Sequence, residues 1–85
     1  MDHDHSLAAM ASGERAVVTA LYNTGGMRRR LLDIGLIEGT EVECLGRSPG
    51  GDPAAYLIRG AVIAIRSEDG GKIRVRACKE AAKWI

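Results

Sequence analysis

Phenylalanine is absent from these 85 residues, and one Trp with two Tyr brings the aromatics to only 4%. A core built without large rings has to be narrow and filled by aliphatic side chains, and nineteen Val, Ile and Leu with twelve Ala supply them. An excess of one charge is also lacking: twelve Lys and Arg against eleven Asp and Glu leave +1. That balance excludes a disordered polyelectrolyte and a chain held to nucleic acid by bulk positive charge. No apolar run approaches the roughly 18 residues of a membrane span. The start, Met1-Asp2-His3-Asp4-His5, is acidic and has neither the basic lead nor the apolar stretch of a signal peptide. The expectation is a soluble, cytoplasmic chain of one small domain. Two cysteines, Cys44 and Cys78, make no disulfide framework. Histidine occurs only at His3 and His5, so no Cys/His or Ser/His/Asp set sits on a rigid scaffold. A domain this size also keeps little interior for a pocket of converging polar groups. A non-enzymatic role is expected.

What is present reads mainly as short strands. Residues 1–5 form a flexible lead, and Ser6 caps a helical turn over residues 7–10. β-branched and apolar residues mark a strand over 14–22, which Asn23-Thr24-Gly25-Gly26 interrupts. Met27, Leu31 and Ile34 then recur at helical spacing and share one face of a helix over 27–34. Gly35 follows at the position where a left-handed residue closes a helix, and Leu36 and Ile37 return toward the core. Period two governs residues 40–47, with Val42 and Cys44 on one face. Ser48-Pro49-Gly50-Gly51-Asp52-Pro53 is a loop by composition. Strands over 54–58 and 61–66 flank Arg59-Gly60 as a tight hairpin. Residues 67–71 turn, and 72–77 alternates Ile73, Val75 and Ala77 inward with Lys72, Arg74 and Arg76 outward. The tail, 78–85, docks through Trp84 and Ile85 on this reading. Five strands with one helix between the first two predict a small, strongly curved barrel, the helix covering one mouth.

Several clusters carry candidate chemistry. Asp2-His3-Asp4-His5 offers metal-ligand types, and His3 and His5 are the candidate ligands, but a free terminus lacks the fixed geometry of a built site. Cys44 reads as core filling. Arg28-Arg29-Arg30, beside Met27 and Leu32, combines guanidinium and apolar groups as interface centres do. The cations stand at a helix N-terminus, where they oppose the dipole and gain nothing locally. This points to partner contact through Met27, Arg28, Arg29 and Leu32. Pro49, Asp52 and Pro53 form a protruding rim for the partner, with Tyr56 nearby as a further contact residue. Gly50-Gly51-Asp52 and Gly70-Gly71-Lys72 lack the Gly-Lys-Ser/Thr ending of a phosphate-binding loop. A basic stripe of Lys72, Arg74 and Arg76 on its own, without aromatics to stack on bases, is a poor nucleic-acid surface.

The stretch Arg30-Leu31-Leu32-Asp33-Ile34-Gly35-Leu36-Ile37-Glu38-Gly39-Thr40-Glu41-Val42 resembles the signature of the FeoA family. The similarity continues through the 48–53 loop, Gly60, Ile63-Ala64-Ile65-Arg66 and Ile73-Arg74-Val75, and covers residues 6–77 in order. Glu38, where the family commonly has Pro, and Gly70-Gly71 depart from the pattern. The resemblance implies an SH3-like barrel in the cytoplasm and an accessory role in bacterial ferrous-iron uptake. It further implies a partner, the cytoplasmic part of the membrane transporter FeoB, with contact to the membrane only through it. Similar domains end metal-dependent repressors, so a metal-sensing module binding Fe²⁺ is the alternative.

Overall fold

The structure, a computed structural model, describes residues 4–78. Strands β1 (Asp4–Ser6), β2 (Arg15–Leu21), β3 (Glu41–Arg47), β4 (Ala54–Ile58), β5 (Ala61–Ile65) and β6 (Ile73–Ala77) form one antiparallel sheet in the order β1-β6-β2-β3-β4-β5. Helix α1 (Gly25–Asp33) connects β2 to β3, a 3₁₀ turn (Leu7–Ala9) follows β1, and a single helical turn, α2 (Ser67–Gly70), precedes β6. The mainly β architecture with one principal helix is as expected, with two differences. Among the described residues there are six strands rather than five, because Asp4 and His5 leave the expected flexible lead and pair with Arg76 and Val75. The barrel is also not closed: β1 and β5 are the two edges of the sheet. The reading of Trp84 and Ile85 as a docked tail lies outside the described residues.

The curl of the sheet encloses a core of Leu7, Met10, Ala16, Val18, Leu31, Leu36, Val42, Cys44, Ala54, Tyr56, Ile58, Ile65, Ile73 and Val75. Alternation supplies most of it. On β3 Val42 and Cys44 turn in while Leu45 is exposed, and on β6 Ile73 and Val75 turn in. Register shifts between Val18 and Ala20, and between Cys44 and Gly46, bend β2 and β3 around this core. Leu31 is 2% exposed at the mouth, with Met27 and Ile34 packed partly against the core beside it. Ile37, expected to turn inward after the helix, is exposed instead.

The end of α1 explains the Gly-Leu and Gly-Thr pairs of the sequence. The Leu36 amide donates to Leu31 at 2.9 Å and the Gly35 amide to Leu32 at 3.0 Å, the paired bonds of a Schellman cap. This cap needs a left-handed residue, and Gly35 has φ +90°. Its carbonyl accepts from the Thr40 hydroxyl at 2.9 Å and from Arg59 Nε at 3.0 Å. A Cβ at Gly35 would fall 2.5 Å from Arg59 Cδ. Gly35→Ala is therefore expected to lose about 1–3 kcal/mol of stability in a urea titration, through backbone strain and displacement of Arg59.

Candidate interaction site

A concavity lies between α1 and the edge strand β5, a groove of about 300 Å³. Met27, Leu31 and Ile34 form one wall, and Ile63, Ile65 and Pro53 face them. Helical periodicity aims the first set across the mouth of the barrel, and the β4–β5 hairpin carries the second. The hairpin turn is tight because Arg59 and Gly60 both take positive φ, 50° and 84°. Arg30 and Arg66 line the groove with one carboxylate, Asp69. The floor is apolar and the rim carries a net positive charge.

The structure separates the sequence-derived candidates. Met27 and Pro53 line the groove. Arg29, Leu32 and Pro49 are exposed outside it, Leu32 by 40%. Arg28 is exposed and also acts locally: its Nη1 donates to the Leu21 carbonyl at 3.0 Å and more loosely to that of Asn23 at 3.4 Å. These bonds tie the start of α1 to the end of β2, where Thr24 makes no side-chain cap. Asp52 braces the loop, accepting from the Ser67 amide at 2.8 Å and the Ser67 hydroxyl at 3.2 Å.

Tyr56, read as a surface neighbour of the loop, is corrected. It is 1% exposed and its hydroxyl donates to the Leu7 carbonyl at 3.2 Å. Arg47 completes this anchor, donating to the carbonyls of Ala8 at 2.7 Å and Met10 at 2.9 Å. A short turn has too few backbone bonds to satisfy its own carbonyls, and these two side chains take them. Burial pushes the Tyr56 phenol above its ordinary value, with Cys44 adding to the rise and Arg47 opposing it.

His5 stands on β1 with Nε2 3.3 Å from a Glu14 carboxylate oxygen, and His3 lies outside the described residues. Among the described residues no three His, Cys, Asp or Glu gather as a metal site. Cys44 is buried in the core, as expected of a small apolar residue. On the proposed basic stripe, Arg76 pairs with Asp4 at 3.3 Å, so β1 interrupts the row of cations. Sequence reasoning missed Ile34, Ile63 and Arg66 as groove residues. The signal available was the helical spacing that already grouped Ile34 with Met27.

A family model described as the FeoA domain matches residues 5–77. The chain belongs to the FeoA domain family. A curated relative from Porphyromonas gingivalis, an Fe(2+) transport protein A/Fe(2+) transporter FeoB fusion protein, is 30% identical over 69 residues, 81% of this chain. The chain spans only 8% of that relative's length. The solution structure of the FeoA protein from Chlorobium tepidum superposes with a TM-score of 0.84 at 30% identity, covering 91% of this chain and 73% of its own. The Stenotrophomonas maltophilia FeoA, crystallised with zinc and described as a prokaryotic SH3 domain protein, gives a TM-score of 0.74 at 24% identity. The match covers 82% of this chain and 87% of that one. The fold is thus SH3-like, and the family is one of ferrous-iron transport. No helix among the described residues of this FeoA domain is long and apolar enough to cross a membrane.

Proposed function

We propose that this FeoA domain is a non-catalytic regulator of ferrous-iron uptake that acts in the cytoplasm by binding the cytoplasmic part of an FeoB-type transporter. The observation that carries the reading is the fusion: in the Porphyromonas gingivalis relative the two names belong to one polypeptide. Fusion of two parts gives a high effective concentration to a contact that separate chains have to make by affinity. The surface suits such a contact. The α1–β5 groove supplies an apolar centre, and Arg30 and Arg66 supply guanidinium groups at its rim. Arg29, Leu32 and Pro49 extend the contact outside the groove.

The test is calorimetric titration of the full chain against the isolated FeoB cytoplasmic domain, with and without GTP and Fe²⁺. Binding is expected in at least one condition. Met27→Glu puts an unpaired charge at the centre of the contact and is expected to weaken it by about 2 kcal/mol or more, roughly thirtyfold. Absence of heat in every condition overturns the proposal.

A further inference from the structure

The groove is bounded on one side by a strand edge, and that edge is unusual. Among the described residues β5 pairs on one side only, with β4, through five consecutive register pairs free of any bulge. Its sequence, Ala61-Val62-Ile63-Ala64-Ile65, contains no charge and no proline. Edge strands that have to stay solitary are normally blunted by lysine, proline, a bulge or brevity. The opposite edge follows that rule: β1 is three residues long, polar, and tied down through Asp4 and Arg76. β5 has none of these defences.

Its geometry is that of an acceptor. The two-residue turn at Arg59-Gly60 makes Ile58 and Ala61 a hydrogen-bonded pair. Alternation then leaves the N–H and C=O groups of Val62 and Ala64 pointing to the free edge. Ile63 and Ile65 line the groove on the same edge, and Val62 is 65% exposed. We infer that β5 captures an extended, apolar, acid-flanked segment of the partner protein as an added strand, alternate side chains of that segment filling the groove beside α1. This rests on the groove being the docking surface proposed above, and it names the form of what docks there.

Charge decides between a foreign strand and a second copy. Arg30 and Arg66 line the groove against the lone carboxylate of Asp69, so carboxylates at the ends of an incoming strand are attracted. Antiparallel pairing of β5 with itself about Ile63 sets Arg66 opposite Gly60 of the copy and next to its Arg59. Such pairing brings like charges together at both ends of the ladder.

The experiment follows amide exchange in the isotope-labelled full chain. One probe is the capped peptide Glu-Glu-Val-Thr-Val-Thr-Val-Glu-Glu, another the same peptide with lysine for each glutamate, and the third the FeoB cytoplasmic domain. Strand addition is expected to slow exchange of the Val62 and Ala64 amides at least tenfold, with the lysine peptide binding at least tenfold more weakly. Val62→Pro removes a donor on the solvent side of an edge strand, a position that tolerates proline. It is expected to weaken both acidic peptide and FeoB binding tenfold or more. The exchange readout on the native chain decides even where that variant misfolds.

If the FeoB domain binds with protection elsewhere, strand addition is overturned and the proposed function stands. If the acidic peptide protects Val62 and Ala64 but the FeoB domain does not bind, strand addition stands and the proposed function falls. No protection of Val62 and Ala64 by the acidic peptide, together with no binding of the FeoB domain, overturns both. Concentration-dependent dimerisation of the chain alone, protecting the same two amides, overturns the foreign strand in favour of a second copy.

Discussion

Leu31→Ala is expected to lower the unfolding free energy by about 2–5 kcal/mol, while Leu32→Ala one position later changes it by no more than about 0.5 kcal/mol. The contrast follows from the facing of α1. Leu31 is 2% exposed and belongs to the core; Leu32 is 40% exposed and lies outside the core cluster. Leu31 is also the residue whose carbonyl accepts the Leu36 amide in the helix cap, and both side chains are buried. The apolar contact that normally accompanies this cap would be lost with the leucine. Relaxation of α1 into the void is restrained because Gly35 is held from two directions, by Thr40 and by Arg59. That restraint favours the upper part of the range, since the cost rises with the cavity left unfilled. Paired urea titrations of the two variants measure the difference. Equal losses would mean that the helix presents another face to the core.

What the sequence made legible, and what it hid, follows from the range of the interaction responsible. The helix, the Gly35 cap, the Arg59-Gly60 hairpin and the inward residues of β3 and β6 all depend on neighbours within a few positions. Periodicity and turn chemistry report these directly. β1 was hidden because Asp4-His5-Ser6 is polar and too short to alternate; its order comes from the edge of β6, about seventy residues away. The groove was half legible: helical spacing collected Met27, Leu31 and Ile34, but nothing local shows that Ile63, Ile65 and Arg66 stand opposite. Arg28 reads as a contact residue because guanidinium groups near apolar ones resemble an interface, and Asp52 because its loop is protruding by composition. Both are exposed, and each also holds carbonyl, amide or hydroxyl groups of its own chain, a structural role that the local sequence does not show. Tyr56 had a local signal that proximity to the loop overrode, since Ala54, Tyr56 and Ile58 alternate onto one face and all three are buried.

Tyr56 supplies the other large effect. Tyr56→Ala is expected to cost about 3–5 kcal/mol, the range for truncating a buried aromatic. Tyr56→Phe keeps the ring and is expected to cost only about 0.5–1.5 kcal/mol, the net worth of one hydrogen bond. The difference between the variants isolates packing from the bond to Leu7. A third measurement tests the burial itself. In the folded chain the phenol's pKa lies above its ordinary value of 10.0, chiefly because burial disfavours the phenolate. A group whose folded pKa is raised contributes its stabilisation fully below the unfolded value and loses it as pH rises through the folded value. Stability of the native chain should therefore decline above about pH 10, and Tyr56→Phe should flatten that decline. Because the phenol anchors the turn that follows β1 and not the rim of the groove, Tyr56→Phe should leave the proposed binding to FeoB unchanged. A large loss of binding with stability intact would return Tyr56 to the surface and overturn the packing described for it.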